Sequence, residues 1–369
     1  MDSFCTVLVN RFSAPSLASM SSSSSSPYRS SSTSALGFQP ARSLRDISGV
    51  DFIAMPEFEG VACVDMYGDL PYGLFVLPDA VVRGDAGYIF TEEGVPIVEQ
   101  NADFLRKERF LRPRFEDVGA PSLDRLGVER LISLKARCHT GFFHWALGAL
   151  PKVFLAECSG FDGSYLLPPR SLAPWAPESM RMLNIADNRL VFEEMCDIAV
   201  RRLYVPTYFS GYNAHHNIAF MKLYREWVRA VVAGRKYKKG ERIFIARRES
   251  TKVRRVLNQE QGEQVLTEYG FKTIYCEELS FRQQIEIAVC AEAIVAPHGA
   301  GLSHALFMDE NSLVVELFPF KRQQSCDCFE MLSRIPSHRY IALESKTPCE
   351  GDVDIDLQKL RDVLGRALI

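Results

Sequence analysis

The stretch AIVAPHGAGLSHALF, residues 293–307, constrains this chain more than any other. Ala293 to Ala296 is an apolar run of strand length, followed by Pro297, His298, Gly299, Ala300 and Gly301, and then by apolar residues at helical spacing. Small residues directly after a strand allow a sharp turn and a close approach to bare N–H groups. A helix opening near Gly301 would turn its unpaired amides and positive dipole end to the same spot, which suits an anion such as a phosphate. In open α/β sheets ligands sit at such carboxyl ends of strands, and His298 would be a donor beside the anion. The alternative is an ordinary tight strand–helix turn with a packed histidine.

The surroundings repeat the same alternation. Arg242 to Ala246 reads as a strand, followed by a basic loop from Arg247 to Arg255. Asn258 with Gln261 predicts a capping box for a helix ending at Gly270. Lys272 to Cys276 reads as the next strand, and Ser280 with Gln283 caps the next helix. Leu313 to Phe318 and Tyr340 to Leu343 are further strands, and Asp356 caps a last helix over Leu357 to Leu368. Strands alternating with helices of this length predict a parallel, doubly wound sheet over 234–369.

Before it, 51–233 reads as a separate lobe, with a linker over Arg235 to Gly240. Short β-rich runs (Val61 to Asp65, Leu74 to Leu77, Tyr88 to Phe90) alternate with Gly and Pro. Phe142 to Leu150 is amphipathic and carries His144 and Trp145; Pro151 is expected to end or kink that helix. The Pro-rich segment Pro168 to Pro177 reads as irregular, Leu203 to Val205 as a strand before a turn at Gly211 to Asn213, and His215 and His216 as the opening of a helix running to about Val232. As adjacent helical residues those two histidines point about 100° apart, which argues against a metal pair.

Residues 1–50 hold serine tracts at Ser21 to Ser26 and Ser30 to Ser32, and Ser3 to Arg45 contains no acidic residue. Such a tail cannot bury enough apolar surface to offset ordering and is expected to be disordered. A solvated tail or an over-long gene start is the favoured account, an organelle transit peptide the alternative.

With 369 residues, 47% of them hydrophobic, the chain can fill two compact domains. A formal net charge of −3 offers no global basic field for nucleic acid. Ten cysteines are scattered without a CxxC pair; Cys326 and Cys328, the tightest pair, are too close for usual zinc spacing, so no metal site is expected. They read as buried or free thiols of a reducing compartment. No apolar run reaches 18 residues, and Phe4 to Val9 is too short for a signal-peptide core. A cytoplasmic protein without a transmembrane segment is the resulting expectation.

Several of these motifs, in order, resemble glycosyltransferase family 61. The stretch FIARRESTKVRRVLNQE, the HGAG turn and the closing VVELFPF are similar to that family's C-terminal half through Arg247, Arg255, Asn258, His298, Gly299, Ala300, Leu302 and Glu316. Upstream, FFHWALGALPK resembles its His-Trp-Leu and Leu-Pro-Arg segment through His144, Trp145, Leu150 and Pro151. The resemblance runs from about 130 to 320 and implies two Rossmann-like lobes of the GT-B type. It also implies an inverting transfer from a nucleotide sugar to a glycan or glycoconjugate, with no essential metal and no cofactor beyond that co-substrate. On this reading Arg247, Arg255, Asn258, His298 and the Gly299–Gly301 turn bind the donor. Arginine forks and open amides stabilise a departing diphosphate without a metal. Glu316 would accept from ribose hydroxyls, or cap a loop, or pair with an arginine. An inverting transfer needs a base for the acceptor hydroxyl, and His144 is the candidate; a core histidine beside Trp145 is the alternative.

Three positions depart from the family pattern: Gly148 stands where an acidic residue is frequent, Ser303-His304 replaces Thr-Asn, and Asn258-Gln259 replaces Asn-Glu. Two rivals remain. A non-catalytic nucleotide-sugar or carbohydrate-binding module would share the donor site. An esterase is suggested by HGAG and by Gly301-Leu302-Ser303-His304-Ala305, which approaches G-x-S-x-G, with His338 as the one triad histidine that follows.

Overall fold

The computed structural model describes residues 43–55, 72–84, 86–97, 127–136, 141–192, 197–207, 217–233, 239–248, 254–319, 327–347 and 351–368. The expected strand Val61 to Asp65, the turn at Gly211 to Asn213, His215, His216, Cys326 and the Ser-rich tail to residue 42 lie outside them. Two compact units divide the chain, Met1–Gly211 and Tyr212–Ile369.

In the first unit β1 (Asp51–Ala54), β2 (Gly73–Arg83) and β3 (Tyr88–Thr91) pair antiparallel through β2. Next come β4 (Arg130–Ser133), β5 (Ser164–Leu167), β6 (Leu190–Phe192) and β7 (Ile198–Pro206), which pair parallel in the order β7-β4-β5-β6. Strand β2 joins the two parts by pairing antiparallel with β7. The sheet is therefore mixed, and the wholly Rossmann-like first lobe is corrected to a parallel half with an antiparallel extension. The physical reason is local: β2 and β3 are separated by a tight turn with positive φ at Gly84 and Gly87, and so short a connection only permits antiparallel pairing.

The segment around His144 also differs from expectation. Helix α1 runs from Phe142 to Cys158 without a break, as an α turn (Phe142–His144), a π turn (Trp145–Ala149) and an α segment (Leu150–Cys158). The wide turn bonds Leu150 N–H to the Trp145 carbonyl just ahead of Pro151, so the proline's missing N–H is absorbed without ending the helix. Helix α2 (Trp175–Met182) begins inside the Pro-rich segment, because a proline in the first turn gives up only an N–H that has no partner there.

The second unit opens with helix α3 (Ile218–Ala230), capped by Asn217, whose side chain accepts from Phe220 N at 3.0 Å. Its sheet consists of β8 (Glu241–Ile245), β9 (Phe271–Ile274), β10 (Ala291–Pro297), β11 (Leu313–Phe318) and β12 (Arg339–Glu344), all parallel, in the order β12-β11-β10-β8-β9. Every residue of β11 is buried, as is all of β10 except Glu292, the mark of central strands covered on both faces. Helices α4 (Gln259–Glu268), α5 (Phe281–Cys290), α6 (Cys328–Arg334) and α7 (Leu357–Ala367) follow the alternation. The Ser280–Gln283 capping box and the Asp356 cap form as expected. No helix among the described residues is long and apolar enough to cross a membrane.

Candidate functional site in the second unit

The strand order reverses between β8 and β10: the chain goes from β8 outward to β9, then returns to β10 and continues to β11 and β12. At such a point the two connecting segments diverge and leave a crevice at the carboxyl ends. Arg247 follows β8, and His298 and Gly299 follow β10, so the topology brings together residues 51 positions apart.

The expected α-helix after the glycines is instead a 3₁₀ helix, Ala300–Phe307. Its first internal bond is Leu302 N to Gly299 O at 2.9 Å, which leaves the amides of Ala300 and Gly301 at the open end. Gly301 packs so tightly on β8 that a Cβ there would stand 2.9 Å from Ile245 Cγ2. Gly299 sits at φ 154°, ψ −173°, a region held almost exclusively by glycine. A Cβ on it would lie 2.1 Å from Arg247 Nη2 and 3.5 Å from Arg254 Nη1.

Both guanidiniums converge on one carbonyl. Arg247 Nη2 donates to His298 O at 3.3 Å, and Arg254 Nη1 lies 3.5 Å from the same oxygen. Burial, then the positive charge of Arg254, holds the Arg247 pKa below the ordinary arginine value, with Glu277 opposing. Arg247 is partly buried and Arg254 exposed, and two cations held together in this way are a charge arrangement that an anion would relieve.

His298 is fixed from behind. Its Nδ1 bonds the Glu316 carboxylate, whose other oxygen accepts from the Tyr340 hydroxyl. The ring is edge-on to Phe318 and Phe329, at centroid distances of 4.9 and 5.4 Å. Its side chain keeps 13% exposure while Glu316 has none. Nε2 has no partner among the described residues.

The rest of the expected set lies elsewhere. Arg255 donates from Nε and Nη2 to Asp352 at 3.0 and 2.7 Å. Asn258 precedes α4 but makes no side-chain cap; its amide instead donates to Ile355 O at 2.9 Å and accepts from Ile355 N at 2.8 Å. The expected Asn258–Gln261 capping box is thereby corrected: the amide is spent on strapping the 353–355 segment to α4. His144 is exposed on α1 of the first unit, beside Phe143 at 5.2 Å, while Trp145 is buried and donates to Ser179 Oγ at 2.8 Å. Glu316 has both carboxylate oxygens engaged by protein groups.

Sequence reading missed Arg254 and Tyr340. For Arg254 a signal existed in the paired arginines at 254 and 255, yet only the backbone (φ 59° at Arg254) decides which of them turns to the crevice. Tyr340 carried no signal. The Ser303 hydroxyl is buried without a partner among the described residues, and both nitrogens of His304 are taken by Gly301 O at 2.6 Å and Gln284 Oε1 at 2.9 Å. His338 Nε2 bonds Ala305 O at 2.7 Å, so among the described residues no histidine is poised to activate that serine. A cavity of about 430 Å³ lies at the opposite, amino ends of the strands. In its lining Lys239 pairs with Asp309 and Arg242 with Glu292.

Residues 142–315 match the family model for Glycosyltransferase 61, spanning α1 through the first half of β11. Among curated proteins the chain is similar to the EGF domain-specific O-linked N-acetylglucosamine transferase of Drosophila melanogaster, 29% identical over 106 residues, 28% of this chain and 19% of that protein. It is also similar to the protein O-linked-mannose β-1,4-N-acetylglucosaminyltransferase 2 of Tetraodon nigroviridis, 37% identical over 83 residues, 22% of this chain and 14% of that protein. The matched stretches thus span less than a fifth of either relative's length. The resemblance to glycosyltransferase family 61 is borne out over that region.

Proposed function

We propose that this chain, which carries the glycosyltransferase 61 match over residues 142–315, is a glycosyltransferase that moves a sugar from a nucleotide-sugar donor to a hydroxyl of a glycan or glycoconjugate. The observation that carries this reading is the meeting of Arg247, Arg254, His298 and the open amides of Ala300 and Gly301 where the strand order reverses. Both relatives are named for transfer of N-acetylglucosamine, so a nucleotide-activated N-acetylglucosamine is the proposed donor.

Chemically, the acceptor oxygen attacks the anomeric carbon as its bond to the diphosphate oxygen breaks, with inversion. The departing diphosphate gathers negative charge, which fixed guanidiniums and amides stabilise without rearranging. That assignment puts charge neutralisation on side chains and makes no metal necessary. The acceptor proton goes to a base, and the exposed His144 imidazole is proposed for it.

A thermal-shift panel of nucleoside diphosphates and their N-acetylglucosamine esters, run with and without added divalent metal, tests the donor assignment. One nucleotide class should stabilise the wild type in metal-free buffer, and Arg247→Ala should abolish the shift. Transfer to acceptor then separates an enzyme from a binding module. Stabilisation without turnover against any glycan acceptor would favour the module, and no stabilisation by any nucleotide would sink the donor site.

A further inference from the structure

We propose that Glu316 and Tyr340 act on the donor site through His298, as a positioning relay that commits the Nδ1 proton and presents Nε2 to the diphosphate. This rests on the nucleotide-sugar reading above. Glu316 is wholly buried in the central strand β11, between Val315 and Leu317, where a carboxylate is costly unless its oxygens are satisfied. An aliphatic residue would fill this place in a sheet interior more cheaply, so the carboxylate is explained by what it holds. One oxygen meets His298 Nδ1, and the other accepts from Tyr340.

An ionised carboxylate can only accept, so Nδ1 is the protonated ring nitrogen and the ring cannot present its other face. Phe318 and Phe329, edge-on to the ring, keep it in that plane. Nε2 then points away from Glu316. A phosphate oxygen at Nε2 needs an N–H there, which places both protons on the ring, and Glu316 supplies the balancing negative charge from inside the protein. Among the described residues, the other charged groups near the turn are Arg247 and Arg254, both on the His298 carbonyl, with Glu277 beside Arg247. Tyr340 acts one step further back, holding the Glu316 carboxylate in line.

The test uses the full chain, with uridine diphosphate as probe and uridine as the phosphate-free control, titrated calorimetrically from pH 6 to 8.5. Glu316→Gln, which keeps size and an acceptor oxygen but removes the charge, should weaken uridine diphosphate binding about tenfold or more and leave uridine unchanged. Tyr340→Phe should produce a smaller loss of the same kind. In a His298→Ala background neither change should cost anything further, an outcome a merely structural role would not produce. Nitrogen-15 histidine spectra of the ligand-free protein should show His298 as the Nδ1–H tautomer in wild type and as a mixture in Glu316→Gln. Equal losses with and without His298, or an unchanged tautomer in Glu316→Gln, would overturn the relay. If Glu316→Gln does not fold, Tyr340→Phe with and without His298 decides in its place. Failure of uridine diphosphate to bind wild type would remove a uridine nucleotide as donor, and the nitrogen spectra would still decide the relay.

Discussion

Gly299 shows how much a single residue governs at the crevice. Its backbone lies where side-chain-bearing residues are strained, and the space a Cβ would take is filled by Arg247 Nη2. Gly299→Ala therefore forces either the turn or the arginine to move. The expected result is a loss of about 1–3 kcal/mol of stability together with loss of nucleotide-induced stabilisation, read by thermal melts with and without nucleotide. An alanine variant that melts and binds as wild type would refute the close packing of Arg247 on the turn. Arg254 and Arg255 show the converse: identical side chains on neighbouring residues, one at the His298 carbonyl and one bound to Asp352. Nothing in their chemistry separates them; the direction of the backbone does.

At the scale of elements, the 3₁₀ helix Ala300–Phe307 is held at its far end rather than by its own propensity. Arg225 of α3, 5% exposed, donates to Leu306 O at 2.9 Å and Met308 O at 2.5 Å, and Arg229 donates to Phe307 O. These cations satisfy carbonyls that a helix end leaves open and sit at its negative pole. Arg225→Met should cost roughly 2–4 kcal/mol in urea unfolding, since two buried carbonyls lose charged donors. It should also weaken nucleotide binding through a loosened turn; an unchanged unfolding midpoint would count against the cap. The same contacts explain why α3, which the sequence pattern places with the first lobe, counts with the second unit. Arginine positions in the sequence carry no mark of which carbonyls they reach, some 80 residues on.

Across the whole molecule, pH should act through two histidines around that helix, His304 buried and His338 half-buried. Burial holds His304 and His338 at a pKa of about 4, against 6.5 when free. Between those values the unfolded chain binds more protons than the folded one, so stability falls as pH drops from about 6.5 to about 4. Each histidine contributes a slope of about 1.4 kcal/mol per pH unit over that window. Urea unfolding at pH 7.5, 6 and 5 should show the decline, and His304→Gln should flatten it. A level profile over that range would mean that these rings are solvated.

What the sequence determined by itself was the second unit's alternation and the turn at its centre, because periodicity, caps and small residues act within a few positions of one another. The Ser280–Gln283 box, the Asp356 cap, the buried runs of β10 and β11 and the place of Arg247 and His298 at strand ends are all local consequences of that kind. The tertiary structure decided which strands became neighbours, and so where the order reverses and which side chains meet there. It turned Arg254 to the His298 carbonyl and Arg255 to Asp352, spent Asn258 on Ile355, and put Glu316 and Tyr340 behind His298. Those pairings join residues from 18 to 97 positions apart. Contacts over such separations depend on how the whole sheet closes, which no local pattern encodes.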